Sequence, residues 1–173
     1  MSTHEKAINN LTAADYLVIE KEHKLLNKFL NDLKEACACS NMNESQSCTK
    51  CDQEKEASCQ GRLPSFLFYA IDVASTHFDH EETIMLSRPH VTDEYGYFRM
   101  HRQEHERIIQ KLNLLVEECF SLEGQGNTPD IYRKFHKKLT DIFEEHDRLF
   151  DDPFIASTQH ESTRKSEIVS ISI

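Results

Sequence analysis

The chain has 173 residues, with 30 acidic against 20 basic side chains, a formal charge of −10, and 29% of its positions charged. That length supports one domain with a real core, while 4 Gly, 4 Pro and no Trp supply too few turn residues for a β-sandwich or barrel. The acidic balance excludes nucleic acid as the main partner, and no apolar run approaches the roughly 20 residues of a membrane helix.

The N-terminus, Met1 to Asn10, is polar and has no apolar leader. The expected compartment is therefore the cytoplasm, where cysteines are thiols or metal ligands before they are disulfides. Four segments then show helical periodicity. The first seam runs Tyr16, Ile19, His23, Leu26, Leu30, Leu33, Cys37. The second runs Phe66, Ala70, Val73, His77, Ile84, with Pro64 suited to a first helical turn. Ser87-Arg88-Pro89 ends it, and Thr92 or Asp93 is the expected cap of the third helix. The third seam is the cleanest: Phe98, His101, His105, Ile108, Leu112, Leu115, Cys119, Leu122. A Gly-rich turn, Glu123 to Pro129, leads to a fourth seam of Tyr132, Phe135, Leu139, Ile142, His146 and Leu149, which Asp152-Pro153 stops.

The expected fold is all-α, an up-down-up-down four-helix bundle over residues 11–152, because alternating steps of three and four give narrow apolar stripes. A long Cys-rich loop at 40–61 joins helices one and two, and 153–173 is a polar tail. Cys37, Cys39, Cys48, Cys51 and Cys59 form a Cys-x-Cys…Cys-x-x-Cys…Cys array, a second candidate site. Four thiolates would suit one structural zinc. A redox-responsive dithiol and unligated thiols are the alternatives. With Cys37 on the first seam, Cys39, Cys48, Cys51 and Cys59 are the preferred ligands, and Cys119 packs as a small apolar residue.

Five of the ten histidines lie on the seams: His23, His77, His101, His105 and His146. In an up-down bundle, residues equally far from the turn joining their helices share a height. His23 is 13 before Ala36 and His77 is 13 after Pro64; His105 is 17 before Leu122 and His146 is 17 after Pro129. Glu81, 7 before Arg88, matches His101, 7 after Glu94. Four helices thus bring imidazole to one layer, where unpartnered rings would each cost about 1–3 kcal/mol. A mixed imidazole and carboxylate set suits iron, zinc, copper or nickel better than calcium or magnesium. Five histidines exceed the needs of one ion, so two ions bridged by carboxylates are expected. The excess of histidine over glutamate favours binding a diatomic ligand over oxidising chemistry. His80, His90, His136 and His160 are expected at the surface, His80 close enough to the layer to support a ligand.

His77-Phe78-Asp79-His80-Glu81-Glu82, His101-Arg102-Gln103-Glu104-His105 and Ile19-Glu20-Lys21-Glu22-His23 resemble the motifs of the hemerythrin family. A closing His-x-x-x-x-Asp occurs twice, at His136 to Asp141 and His146 to Asp151. His136 lies ten residues, about 15 Å of helix, nearer the turn, so His146 and Asp151 are chosen. The resemblance implies two non-haem irons with an oxo or hydroxo bridge. His101, His105 and His146 would hold one, His23 and His77 the other, and Glu81 and Asp151 would bridge them. It implies O₂ or another small diatomic as the ligand. Glu20, three before His23, would support an imidazole or add a carboxylate ligand. Tyr95, Tyr97 and Phe98 would cover the pocket. The step from His146 to Asp151 turns a straight helix by about 140°, so the last turn is expected to unwind before Pro153.

The leading expectation is a di-iron protein that reversibly binds or senses O₂. The alternative is a di-iron enzyme or iron-centre repair protein acting on peroxide, nitric oxide or damaged iron centres. A protein partner docking through the tail or the cysteine loop is a third.

Overall fold

The structure, a computed structural model, describes residues 12–35, 53–122 and 128–153. These form α1 (Ala13–Glu35), α2 (Gln53–Leu86), α3 (Gly96–Ser121) and α4 (Thr128–His146), which runs on into a π-helical turn, Asp147–Asp151. No strand occurs among the described residues. The chain is an all-α four-helix bundle, and its cross-helix bonds show the alternating directions. Arg88, just past α2, donates to Asp15 at the start of α1 at 2.6 Å. Glu118, near the end of α3, receives Lys134 and Lys138 from the first half and the middle of α4, each at 2.5 Å. Tyr97 at the start of α3 meets Phe150 beyond the end of α4.

Local chemistry sets the ends. Thr12 and Asp15 form a reciprocal cap on α1: the Asp15 N–H donates to Thr12 Oγ1 at 3.1 Å and the Thr12 N–H to Asp15 Oδ2 at 2.9 Å. The cap of α3 is Tyr95, with no side-chain bond, instead of the expected Thr92 or Asp93. A tight turn replaces the side-chain cap: the Tyr95 N–H donates to the Thr92 carbonyl at 2.9 Å and itself precedes the helix in extended conformation.

The start of α2 differs from the sequence reading. Gln53 to Gly61, assigned to the loop, is the first part of α2, and Pro64 lies inside that helix, not in its first turn. Proline removes one ladder donor, yet Leu63 and Leu67 on either side of it are buried. The Tyr132 hydroxyl donates to the Cys59 carbonyl at 2.5 Å in the preceding turn. Packing from α4 holds α2 together across its weak point.

The buried apolar side chains form two clusters with a polar layer between them. The larger, with Leu26, Leu30, Leu33, Leu67, Ala74, Ile108, Leu112, Phe135, Leu139 and Phe143, fills most of the bundle. The smaller, with Ile19, Ile84, Met85, Val91 and Phe98, closes the other end, with Tyr95 and Tyr97 packed on it. Each buried side chain of this size contributes about 1.5–3 kcal/mol. On α1, Ile19 belongs to one cluster and Leu26 to the other, so His23 falls between them.

Candidate metal centre

The layer between the clusters contains seven polar side chains from four helices and the π-turn. His77, Glu81, His101, His105, His146 and Asp151 are buried, and His23 is half-buried, its side chain 18% exposed. The donors form two overlapping sets, Glu81/His101/His105/His146 and His23/His77/Glu81/Asp151, whose ligand atoms all lie within 4.8 Å of one another.

The two carboxylates divide their oxygens between the sets. Glu81 Oε2 lies 3.4 Å from His101 Nε2 and 3.3 Å from His105 Nε2, while its Oε1 faces His77 Nε2 at 3.8 Å. Asp151 Oδ1 lies 3.1 Å from His146 Nε2 and 3.4 Å from His101 Nε2. Its Oδ2 lies 3.1 Å from His23 Nε2 and 3.7 Å from His77 Nε2. His23 and His77 bring their Nε2 atoms to 3.2 Å. Separations of this size are those of two donors each about 2.0–2.2 Å from a shared ion.

The outer nitrogens settle which tautomer serves. His77 Nδ1 donates to Glu22 at 3.1 Å and His105 Nδ1 to Glu82 at 2.9 Å. A proton on Nδ1 leaves Nε2 as a lone-pair donor aimed at the centre. Both oxygens of Glu81, Nε2 of His105, both ring nitrogens of His146 and Oδ1 of Asp151 are buried and make no hydrogen bond of acceptable geometry. Leaving such atoms unsatisfied costs about 1–3 kcal/mol each, and cations between the two sets would satisfy the inward-facing ones. The donor set fits a pair of metal ions.

The electrostatics agree. Burial alone would lower His77, but Glu81, Asp151 and Glu22 override it and hold the imidazole up at about 10. His101 is likewise lowered by burial and raised more strongly by Asp151 and Glu81, to about 9. Burial and the Asp151 charge push Glu81 up, but His77, His101 and His105 bring it down to about 2. The imidazoles around Asp151 outweigh its burial and hold it well below the usual range. Burial pushes the Tyr97 phenol above its ordinary value, with the Asp151 and Glu81 charges adding to it, so it stays a hydrogen-bond donor.

The five-residue step to Asp151 is bridged by a local unwinding of the helix, as the sequence led us to expect. The turn from Asp147 to Asp151 closes on the fifth residue, as the Asp152 N–H donating to the Asp147 carbonyl shows. Asp151 thereby faces inward. Leu149, placed on the α4 seam by the sequence, turns outward and is 46% exposed, because each residue of a π-turn rotates less than in an α-helix. Phe143 takes the buried place on α4.

Glu20, expected to support an imidazole or add a ligand, is in neither donor set. It pairs with Lys24 at 3.0 Å and its side chain is 40% exposed. The adjacent carboxylate takes that place: Glu22 accepts from His77 and, more closely, from His80. The spacing of His77 and His80, three apart on one face of α2, was the available signal that α1 must supply an acceptor between them. Glu82 and Asp147 were also missed. Asp147 is half-buried beside Asp151, and burial first, then the Asp151 charge, raises it to about 6 against the opposing pull of His23 and His77. His80 and His90 are exposed, whereas His136 is half-buried, and burial lowers its pKa. Aromatic rings wall the layer: Phe78 stacks on His105 at 4.0 Å and 8°, and Phe150 on His146 at 5.6 Å and 21°.

Of the cysteine array, Cys37, Cys39, Cys48 and Cys51 lie outside the described residues, as do His160 and the tail from residue 154. Cys59 lies in α2 and is 5% exposed, turned into the bundle, and Cys119 is buried in α3. No helix among the described residues is long and apolar enough to cross a membrane.

Comparison with curated proteins and with solved structures returns no match. The family model of the hemerythrin HHE cation binding domain matches residues 15–156. That span contains all seven centre residues and nearly the whole described bundle, and so the chain belongs to the hemerythrin HHE cation-binding family.

Proposed function

We propose that this chain is a non-haem di-iron protein that reversibly binds or senses O₂. The observation that carries the reading is the division of the two carboxylates: Glu81 turns one oxygen to His101 and His105 and the other to His77, and Asp151 turns one to His101 and His146 and the other to His23 and His77. His101, His105 and His146 would hold one ion and His23 and His77 the second, with both carboxylates shared. A pair of irons would supply the two electrons that reversible capture of a diatomic ligand draws on. The chain's own residues shape the rest. Five neutral donors against two carboxylates leave the site short of negative charge, which supports ligand binding over strongly oxidising chemistry. The two apolar clusters and the Phe78 and Phe150 rings keep bulk water from the layer. The half with two histidines has fewer protein donors and lies beside the partly exposed His23, so the ligand would enter there.

Elemental analysis of anaerobically purified protein should find two irons per chain, and its optical spectrum should change on air and revert on removing O₂. A protein carrying both irons whose spectrum stays unaltered through that cycle refutes the reading. A second reading, turnover of peroxide or nitric oxide, draws on Asp147, a half-buried carboxylate beside the two-histidine half. Steady consumption of either substrate with a reductant, lost in Asp147→Asn, would favour it.

A further inference from the structure

The π-turn raises a question of register. In an α-helix the residue sharing the inward face with His146 is the fourth after it, Phe150. A turn that closes on the fifth residue presents Asp151 instead. The two registers therefore exchange a phenyl ring for a carboxylate at the same place in the layer. π-turns are rare and short, and they persist where surrounding structure fixes them. The contacts around Phe150 do so. Its carbonyl accepts from the Tyr97 hydroxyl, reaching across from the start of α3, at 3.1 Å. Its ring lies against His146 at 5.6 Å and against His101 at 5.2 Å. Tyr97 is in turn set edge-on to His101, at 6.0 Å and 89°.

Resting on the metal-centre reading, we propose that Tyr97 is a positioning residue: its hydrogen bond to the Phe150 carbonyl selects the π register that delivers Asp151 to the centre. The consequence is unequal for the two ions. The set Glu81/His101/His105/His146 is complete without Asp151, whereas the set of His23 and His77 includes it. Loss of the Tyr97 hydroxyl should therefore weaken the second ion more than the first, which keeps four donors besides Asp151.

Tyr97→Phe keeps the ring and removes the donor. In the metal-free protein, amide hydrogen exchange over residues 147–152 should quicken several-fold in the variant while the rest of α4 keeps its protection. Anaerobic titration with ferrous iron should show the second ion bound about threefold to tenfold more weakly, the effect of losing one neutral hydrogen bond, and the first ion weakened by less. Deleting the exposed Leu149 in the same variant shortens the step from His146 to the aspartate to four, which an ordinary α-helix satisfies, and should restore the second ion. Unchanged exchange over the turn in Tyr97→Phe, or a deletion that fails to restore the second ion, would overturn the proposal. A wild-type chain that takes no second ion would count against the centre itself, while exchange over the turn would still decide the role of Tyr97.

Discussion

Asp151→Asn tests the centre most directly, because one carboxylate serves both halves. Its Oδ1 lies 3.1 Å from His146 and its Oδ2 3.1 Å from His23. An amide keeps the shape but replaces one acceptor with a donor and removes the charge. Losing a partner that merely supports a ligand costs 10–100-fold in metal affinity, so a direct and shared ligand should cost about 100-fold or more. A metal held at 100 times its Kd stabilises the fold by about 2.7 kcal/mol. After a 100-fold loss the same concentration sits near Kd and contributes about 0.4 kcal/mol. For a domain of this size each kcal/mol moves Tm by about 2–4 °C, so the metal-induced rise should fall from about 5–10 °C to about 1–2 °C. The assay is thermal unfolding of each protein with and without ferrous iron under argon. Each protein is referred to its own metal-free Tm, so any cost of the substitution to the fold itself drops out. An Asp151→Asn protein that keeps the wild-type shift to within a degree would refute the shared-ligand geometry.

Metal uptake should release protons and tighten with rising pH, because metal must displace protons from His77, held up at about 10, and His101, at about 9. The same raised values mean that, without metal, the stabilising imidazole–carboxylate pairs are fully present below the ordinary histidine value of 6.5 and are lost as pH rises through about 9 to 10. Calorimetry in buffers of different ionisation enthalpy measures the release, and no proton release at pH 7 would contradict the assignment. Glu22→Gln should weaken mainly the ion held by His23 and His77, and Glu82→Gln mainly the other, each by about 10–100-fold; competition titrations with a chelator would separate them. Glu20→Ala should leave metal binding unchanged and shift stability by no more than about 0.5 kcal/mol, read from urea unfolding. A large loss of metal there would restore Glu20 to the centre.

Glu20 and Glu22 of α1 show why residues two apart were not equally legible. Glu20 shares the face of His23, and a helical step of three placed it toward the layer. The side chain that reaches an imidazole is Glu22, because its partners His77 and His80 belong to a different helix and approach from the side. Periodicity within one helix cannot report that approach. α2 is similar: its sequence seam omitted Leu63, Leu67 and Ala74, all buried, because this helix packs against neighbours on more than one side. Pro64 misled for the same reason, its local penalty being offset by packing against Tyr132 of α4.

The amino-acid order by itself determined that there would be four amphipathic helices, and which imidazoles and carboxylates would share a height along them. Both follow from fixed rise and rotation per residue. Tertiary structure alone decided that the unwinding from His146 to Asp151 is a π-turn, since α and π turns differ little locally and contacts from α3 choose between them. It also decided which oxygen of each carboxylate faces which imidazoles, because that depends on how four helices rotate against one another once their apolar faces are buried.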